Sequence, residues 1–194
     1  MTTVTARSWV RAALVSVAIV AVAGCGHSGK PAATSPSSST ASATWSRPSA
    51  PPDPLTLERA GAAAVAAVPT GTLTLIKTQQ SGSWRVLVVT PDGTEQSMDV
   101  SSDGVTVLVG PTRANQSDAD KAKNRALVQA ARLDYRAAVD KFLAAVPNGS
   151  ITEMHLADSN GTTVWEADAW DSYIVEHKVT INAASGELIA NKQV

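Results

Sequence analysis

Two stretches of the chain repeat the same order of apolar and polar positions. In each, an alanine-rich segment with apolar residues at helical spacing stops at a Val-Pro-x-Gly sequence, at 68–71 and again at 146–149. Proline followed by glycine is typical of a helix end. Apolar-rich segments with period-two alternation follow each stop, as expected for β-strands. The sequence therefore predicts a duplicated unit in which a helix precedes an antiparallel set of strands.

In the first unit, short turn sequences separate the predicted strands. The helix begins at Leu55, and Ser-Gly at 81–82 and Pro-Asp-Gly at 91–93 are typical of hairpin turns. Residues 111–116 are predicted to link the two units. The strands of the first unit are predicted at 72–78, 84–90, 95–100 and 105–109.

A longer amphipathic helix is predicted to open the second unit. Ser117 is its N-cap, acidic residues occupy its first turn, and apolar residues recur every three or four positions up to Val146. Asp134 and Asp140 interrupt the basic residues of its other face, which favours a solvated face over a membrane-binding one. The strands after it are predicted at 151–158, 164–170, 174–182 and 187–191, and the first two are joined by Asn-Gly at 160–161.

The two units share a motif of four residues each. The Val-Pro-x-Gly sequences are 78 residues apart, two tryptophans are 81 apart and two late turn glycines are 82 apart. The spacing grows slightly along the units because the second unit has additional residues, which are predicted to lie in loops, where insertions are tolerated. The motif residues are Pro69, Gly71, Trp84 and Gly104 in the first unit, and Pro147, Gly149, Trp165 and Gly186 in the second.

This order of features resembles the PepSY domain. The resemblance runs through 67–73, 84–86 and 98–104 in the first unit, and through 145–151, 164–166 and 179–188 in the second. It implies an α+β fold of two tandem cystatin-like units, each with one helix packed on an antiparallel sheet of three or four strands. It also implies an extracytoplasmic module that restrains peptidases or takes part in envelope sensing and regulation. No catalytic residues come with the family.

The first 24 residues have the features of a secretory signal peptide. Arg7 and Arg11 precede an apolar run of about a dozen residues, shorter than the ~20 that span a bilayer, and small residues then lead to Cys25. Residues 22–25 resemble the bacterial lipobox, with Val22 where leucine is most common. The resemblance implies cleavage between Gly24 and Cys25, and attachment of diacylglycerol and a fatty acid such as palmitate to Cys25. The alternatives are a secreted protein cut nearby and an uncleaved anchor helix.

The rest of the N-terminal part is predicted to be a tether. Its Ser, Thr, Pro and Ala-rich composition has too few apolar side chains to offset the entropy of ordering. The predicted organisation is a signal peptide at 1–24, the acylated cysteine and tether at 25–54, and the two units at 55–112 and 113–194.

Composition excludes several functional classes. The formal net charge of −1 gives no basic field for nucleic acid. With Cys25 as the single cysteine, neither an intramolecular disulfide nor a cysteine-based metal cluster can form. No phosphate-binding glycine motif occurs.

Few side chains suggest chemistry. His155 and His177, with Glu153 or Asp158, would form a metal site only if their strands adjoin, and single histidines on strands are more often structural. Alternating carboxylates on a strand are more typical of its solvated face than of a general-acid pair or cation site. Those of the second unit are Asp158, Glu166, Asp168 and Asp171. The sequence assigns no catalytic residue, metal or cofactor.

These observations predict a lipid-anchored protein on the extracytoplasmic face of the cell membrane that is not an enzyme. Its expected role is to bind and restrain an envelope protein, such as a peptidase or wall enzyme, through sheet edges or hairpin tips. Trp170 and Tyr173, near a predicted hairpin end, would anchor a partner if exposed; packing in the core or at its rim is the other possibility. The alternative function is a carrier or sensor of a lipid or other amphiphile held between helix and sheet, suggested by the many alanines of the first helix.

Overall fold

At each Val-Pro-x-Gly sequence a helix ends and a strand begins. The computed structural model describes residues 53–194, and the predicted signal peptide, Cys25 and nearly all of the tether lie outside them. The first half contains α1 (Pro54–Ala67), β1 (Thr72–Thr78), β2 (Trp84–Val89), β3 (Glu95–Val100) and β4 (Val107–Arg113). The second half contains α2 (Asp118–Ala130), α3 (Tyr135–Ala145), β5 (Ser150–Ser159), β6 (Thr162–Trp170), β7 (Glu176–Asn182) and β8 (Leu188–Gln193).

The eight strands form one antiparallel sheet in the order β4-β3-β2-β1-β5-β6-β7-β8. Strands β1 and β5 join its two halves, with Leu75 opposite His155 and Ile76 opposite Met154. Helices α1 and α3 both pack on the same buried side-chain cluster. The predicted α+β class is confirmed, and the two expected sheets are the halves of a single sheet.

The two helix ends have nearly the same geometry. Val68 ends α1 with φ −126° and ψ 79°, and Val146 ends α3 with φ −130° and ψ 80°. The Gly71 N–H donates to the Val68 carbonyl at 3.0 Å, and the Gly149 N–H donates to the Val146 carbonyl at 2.9 Å. A Cβ atom on Gly71 would lie 2.3 Å from Val88 Cγ1, so the turn packs too closely on the sheet for any other residue.

The two tryptophans occupy corresponding positions in the shared core. Trp84 and Trp165 are each 1% exposed, and they pair with Val100 and Ile181 on the following strands. The Trp165 Nε1–H donates to the Leu133 carbonyl at 3.1 Å. The Trp84 Nε1–H is buried and finds no acceptor within the described part of the chain. The same fold position therefore has different hydrogen bonding in the two halves.

The single long helix predicted for 117–146 is wrong, because the structure has α2 and α3 with a break between them. In the break, the N–H groups of Arg132 and Leu133 both donate to the Ala183 carbonyl at 3.0 Å. The Asp134 side chain then caps α3 by accepting the Ala137 N–H at 2.9 Å. The break satisfies its backbone groups through tertiary contacts, which the apolar spacing along the sequence does not reveal.

Strand β4 begins and ends later than the predicted strand at 105–109, and it occupies part of the predicted linker. Past Gly110 and Pro111 the ladder continues, since Arg113 pairs with Gln96. The register between β3 and β4 shifts here, because β4 takes three steps from Thr112 to Val109 where β3 takes two from Ser97 to Asp99. Proline is tolerated here because β4 is an edge strand and its outer N–H groups need no partner in the sheet.

Among residues 53–194, no helix is long and apolar enough to cross a membrane.

Candidate protein-binding site

The turns that follow β2 and β6 have the same backbone conformation. The Gly93 N–H donates to the Thr90 carbonyl at 2.8 Å, and the Ile174 N–H donates to the Asp171 carbonyl at 3.0 Å. Gly93 and Ile174 are 81 residues apart, the same spacing as the tryptophans. Both residues are left-handed, with φ of +86° and +62°. The two turns therefore occupy corresponding positions in the two halves of the structure.

Helix α2 covers the first of these turns. The Asn124 side chain donates to the Gly93 carbonyl at 3.2 Å, and the Arg125 guanidinium donates to the Asp92 carbonyl at 2.6 Å. A Cβ atom on Gly93 would lie only 2.1 Å from the Lys121 carbonyl oxygen. Both the backbone conformation and the close approach of α2 thus require glycine at this position.

The corresponding β6–β7 turn presents apolar side chains to solvent. Tyr173 is 86% exposed and Ile174 is 38% exposed. A left-handed conformation costs a residue with a Cβ about 1–2 kcal/mol, and it is a genuine outlier for a β-branched side chain. Strained residues cluster at binding and switch sites, where the side chain contributes to function. We therefore identify this turn as the candidate site.

Asp171 holds the turn in place. Its Oδ1 atom accepts the Tyr173 N–H at 2.8 Å and the Val175 N–H at 2.9 Å, and its Oδ2 atom lies 3.3 Å from His177 Nε2. The hydrogen bond from Val175, together with those from Tyr173 and His177, holds the pKa of the Asp171 carboxyl below its ordinary value. The ionised form is therefore the one that orders the turn.

A further pair of contacts connects the turn to the edge of the sheet. His177 is buried, and its Nδ1 atom lies 2.9 Å from the side-chain oxygen of Asn191 on β8. The Asn191 side-chain amide donates to the Ala145 carbonyl at the end of α3, at 3.1 Å. Tyr173 and Ile174 therefore project from a base that is tied to β7, β8 and α3.

The β6–β7 turn lies at the end of the sheet where the described chain begins. Trp170 pairs with Ser150, so the turn is beside the start of β5, which is also where the antiparallel β1 ends. The β3–β4 turn is at that end too, and a Cβ atom on its Gly104 would lie 2.4 Å from the Thr56 carbonyl, near the start of α1. Asp53, the N-cap of α1, is therefore at the same end as Tyr173.

The predicted aromatic anchors separate into two environments. Tyr173 is exposed at the turn, whereas Trp170 is half-buried at the end of β6. The sequence pattern missed Ile174, which was predicted as the first residue of a strand that in fact starts at Glu176. Aligning the repeats at the tryptophan spacing would have placed Ile174 opposite Gly93, within a Pro-Asp-Gly turn.

The hypothetical metal pair of His155 and His177 is wrong. The ring of His155 lies on the open face, 3.4 Å from Glu166 and 3.8 Å from Glu153. His177 pairs with the buried Ala169 and faces the helices. The two imidazoles lie on opposite faces of the sheet, and residues 53–194 contain no group of three or more side chains able to hold a metal ion.

The four carboxylates noted in the second unit do not form one site. Asp158 accepts the Gly161 N–H in the β5–β6 turn, and Asp168 pairs with Lys178 at 3.2 Å. Glu166 contacts His155, while Asp171 belongs to the β6–β7 turn. In the described structure each of these carboxylates contacts its own neighbours, and the four do not converge on one point.

The remaining residues of the repeat motif lie at helix ends and turns. Pro69 and Pro147 are exposed in the turns after α1 and α3, and Gly149 is buried. Gly186 is left-handed, with φ of +75°, and a Cβ atom on it would lie 3.1 Å from Leu133. Gly24 and Cys25, the predicted cleavage and lipidation residues, precede the described residues.

Comparison with known proteins identifies the part of the chain that contains this turn. Residues 132–192 match the PepSY family. The family is described as the peptidase propeptide and YPEB domain. The matched residues include α3, the strands β5, β6 and β7, all of β8 except Gln193, and the whole β6–β7 turn. The first half of the structure has the same order of one helix and four strands.

The fold is similar to the crystal structure of a Clostridium difficile 630 protein described as a candidate lipoprotein, with a TM-score of 0.43 and 14% sequence identity over 67% of this chain and 87% of that one. No curated protein sequence matches the chain significantly.

Proposed function

We propose that this protein is a lipid-anchored, non-catalytic module of the cell envelope that binds and restrains an extracytoplasmic peptidase or another envelope protein. The exposed and strained β6–β7 turn is the observation that supports this function best. The PepSY match agrees with it, because the family takes its name from peptidase propeptides. The site offers an apolar contact surface and needs no nucleophile, metal or cofactor.

The turn has the properties of a binding anchor. Tyr173 combines a large apolar ring with a hydroxyl group, and aromatic residues dominate the binding energy of protein interfaces. Asp171 and His177 fix the backbone beneath it, so little conformational entropy is lost when a partner binds. Ile174 presents an apolar side chain at a left-handed position that glycine would adopt without strain.

We expect Tyr173→Ala and Ile174→Gly to weaken partner binding at least tenfold without destabilising the fold. Glycine removes the left-handed strain but costs backbone entropy, so Ile174→Gly should leave the free energy of unfolding unchanged or raise it by up to about 1 kcal/mol. The measurement is affinity capture of envelope proteins by the full chain in detergent, followed by binding titration and by an activity assay of any captured peptidase.

Leu188→Ala is the control, since Leu188 is also exposed but lies at the far end of β8. If the two turn variants capture the partner as well as the unmodified chain and the Leu188 variant do, the proposed site is wrong.

The proposed anchor is Cys25. Cys25→Ser is expected to move the protein from the membrane fraction to the soluble fraction, or to leave it in the membrane with its leader uncleaved, because serine cannot form the thioether to diacylglycerol. Intact-mass measurement should show two or three acyl chains on the unmodified protein, which hold a protein stably on a bilayer. An unmodified Cys25 thiol would contradict the anchor.

The alternative of an amphiphile carrier requires space between helix and sheet. Ala60 and Ala64 of α1 are both fully buried in the same side-chain cluster as the sheet residues Leu73 and Val86. The small side chains let α1 approach the sheet closely, so the alanine content that suggested a carrier has a packing explanation.

A further inference from the structure

The sheet face opposite α1 and α3 has a continuous row of charged side chains across seven strands. Each member is the direct cross-strand partner of the next, so all point to the same face. We call this set the charged row. In sheet order from β3 to β8 it consists of Asp99, Arg85, Lys77, Glu153, Asp168, Lys178 and Lys192.

The order of signs in the charged row does not favour an isolated sheet. Arg85 lies beside Lys77, and Glu153 lies beside Asp168. Like charges directly opposite each other destabilise a sheet. Ion pairs form between Arg85 and Asp99, and between Lys178 and Asp168. A row with strictly alternating signs would have contained such pairs without placing like charges side by side.

Reversing the row about the boundary between β1 and β5 places an opposite charge over each of its six members from Asp99 to Lys178. Lys77 then faces Glu153, Arg85 faces Asp168, and Asp99 faces Lys178. A two-fold axis parallel to the strands, between two sheets stacked face to face, produces this reversal. We propose that two copies of this chain pair through their open sheet faces, with these three pairs each formed twice. This inference does not rest on the proposed function.

The side chains suit such a contact. Stacked sheets lie about 10 Å apart, and each pair combines a long basic side chain with a shorter acidic one that together span about that gap. The Arg85 and Asp168 side chains are 40% and 30% exposed, so both are accessible. Lys192, outside the six contacts, would face Val109 on β4, which pairs with Asp99.

The available area is sufficient for a reversible dimer. Eight strands at about 4.8 Å spacing and five residues of strand length give a face of roughly 600 Å² per copy, or about 1,200 Å² in total. This is the lower end of the range for specific interfaces. In the next row of the same face, the reversal sets Leu75 opposite His155 and Leu87 opposite Glu166, so the charged row supplies the matched contacts of the interface. The dimer is therefore expected to be sensitive to salt, which screens exposed charge pairs.

The test uses two charge reversals that lie on different halves of the chain. Arg85→Asp and Asp168→Arg should each weaken dimerisation of the full-length protein at least tenfold, because by symmetry each reversal makes two repulsive contacts. An equimolar mixture of the two variants should regain the affinity of the unmodified protein, since each new acid then faces a new base. Sedimentation equilibrium in density-matched detergent measures the protein mass in each case.

Lys192→Glu is the matched control, because it reverses a charge of the same row outside the six contacts and should change the affinity less than twofold. Thermal unfolding by circular dichroism checks that each variant is folded. A monomer for the unmodified protein at 100 µM and low salt would overturn the proposal. So would folded single variants that dimerise normally, or a mixture that stays as weak as its components.

Discussion

Gly93→Ala is expected to lower the free energy of unfolding by about 3 kcal/mol or more. A left-handed alanine costs about 1 kcal/mol relative to glycine. The new Cβ atom would also lie 2.1 Å from the Lys121 carbonyl, so α2 would have to move away. That movement would break the hydrogen bonds from Asn124 and Arg125 to the turn, each worth about 1 kcal/mol.

Gly161→Ala is the control for this prediction. Gly161 is also left-handed, with φ of +82°, but a Cβ atom on it would have no neighbour within 4 Å. Gly161→Ala should therefore lower the free energy of unfolding by only about 1 kcal/mol, the cost of a left-handed backbone for alanine. Urea unfolding followed by circular dichroism measures both variants. Equal losses would mean that α2 is not held against the β2–β3 turn.

Trp165→Phe is expected to lower the free energy of unfolding by about 2–4 kcal/mol, and Trp84→Phe by about half as much. Both changes remove similar buried volume and leave a cavity. At Trp165 the change also leaves the Leu133 carbonyl without its donor, whereas at Trp84 it removes a buried N–H that has no acceptor in the described structure.

Urea unfolding of the two variants and their double mutant tests this asymmetry. A larger loss at Trp84 than at Trp165 would show that the hydrogen bond to the break between α2 and α3 contributes little.

The strands were predictable because alternation is a local signal. Residues 72–78 and 95–100 were predicted as strands and form β1 and β3 with those bounds. Turn sequences with glycine, such as the one containing Gly93, separated them correctly. The end of each helix at Val-Pro-x-Gly was predictable for the same reason, since proline and glycine act on the backbone of their own neighbourhood.

Features that depend on distant residues were not predictable. The break between α2 and α3 is satisfied by the Ala183 carbonyl, and β1 joins β5 through residues almost 80 positions apart. A periodic pattern shows which side of an element is buried but not which neighbour buries it. The charged row depends on the same long-range register, so its pattern emerges only once the strands are paired.

The candidate site was predictable in part. Tyr173 was a potential anchor by its place near a hairpin end, but Ile174 resembled the start of a strand because β-branched residues favour strands. Its left-handed conformation contradicts that preference. A local rule broken at an exposed position is expected where side-chain identity serves binding and not folding.

The shared position of Asp53 and the β6–β7 turn at one end of the sheet affects where a partner can be met. If Cys25 is acylated as proposed, the chain enters the folded part at the same end of the sheet that carries the proposed binding turn. A partner held on the same membrane would then meet Tyr173 on the side at which the chain is attached.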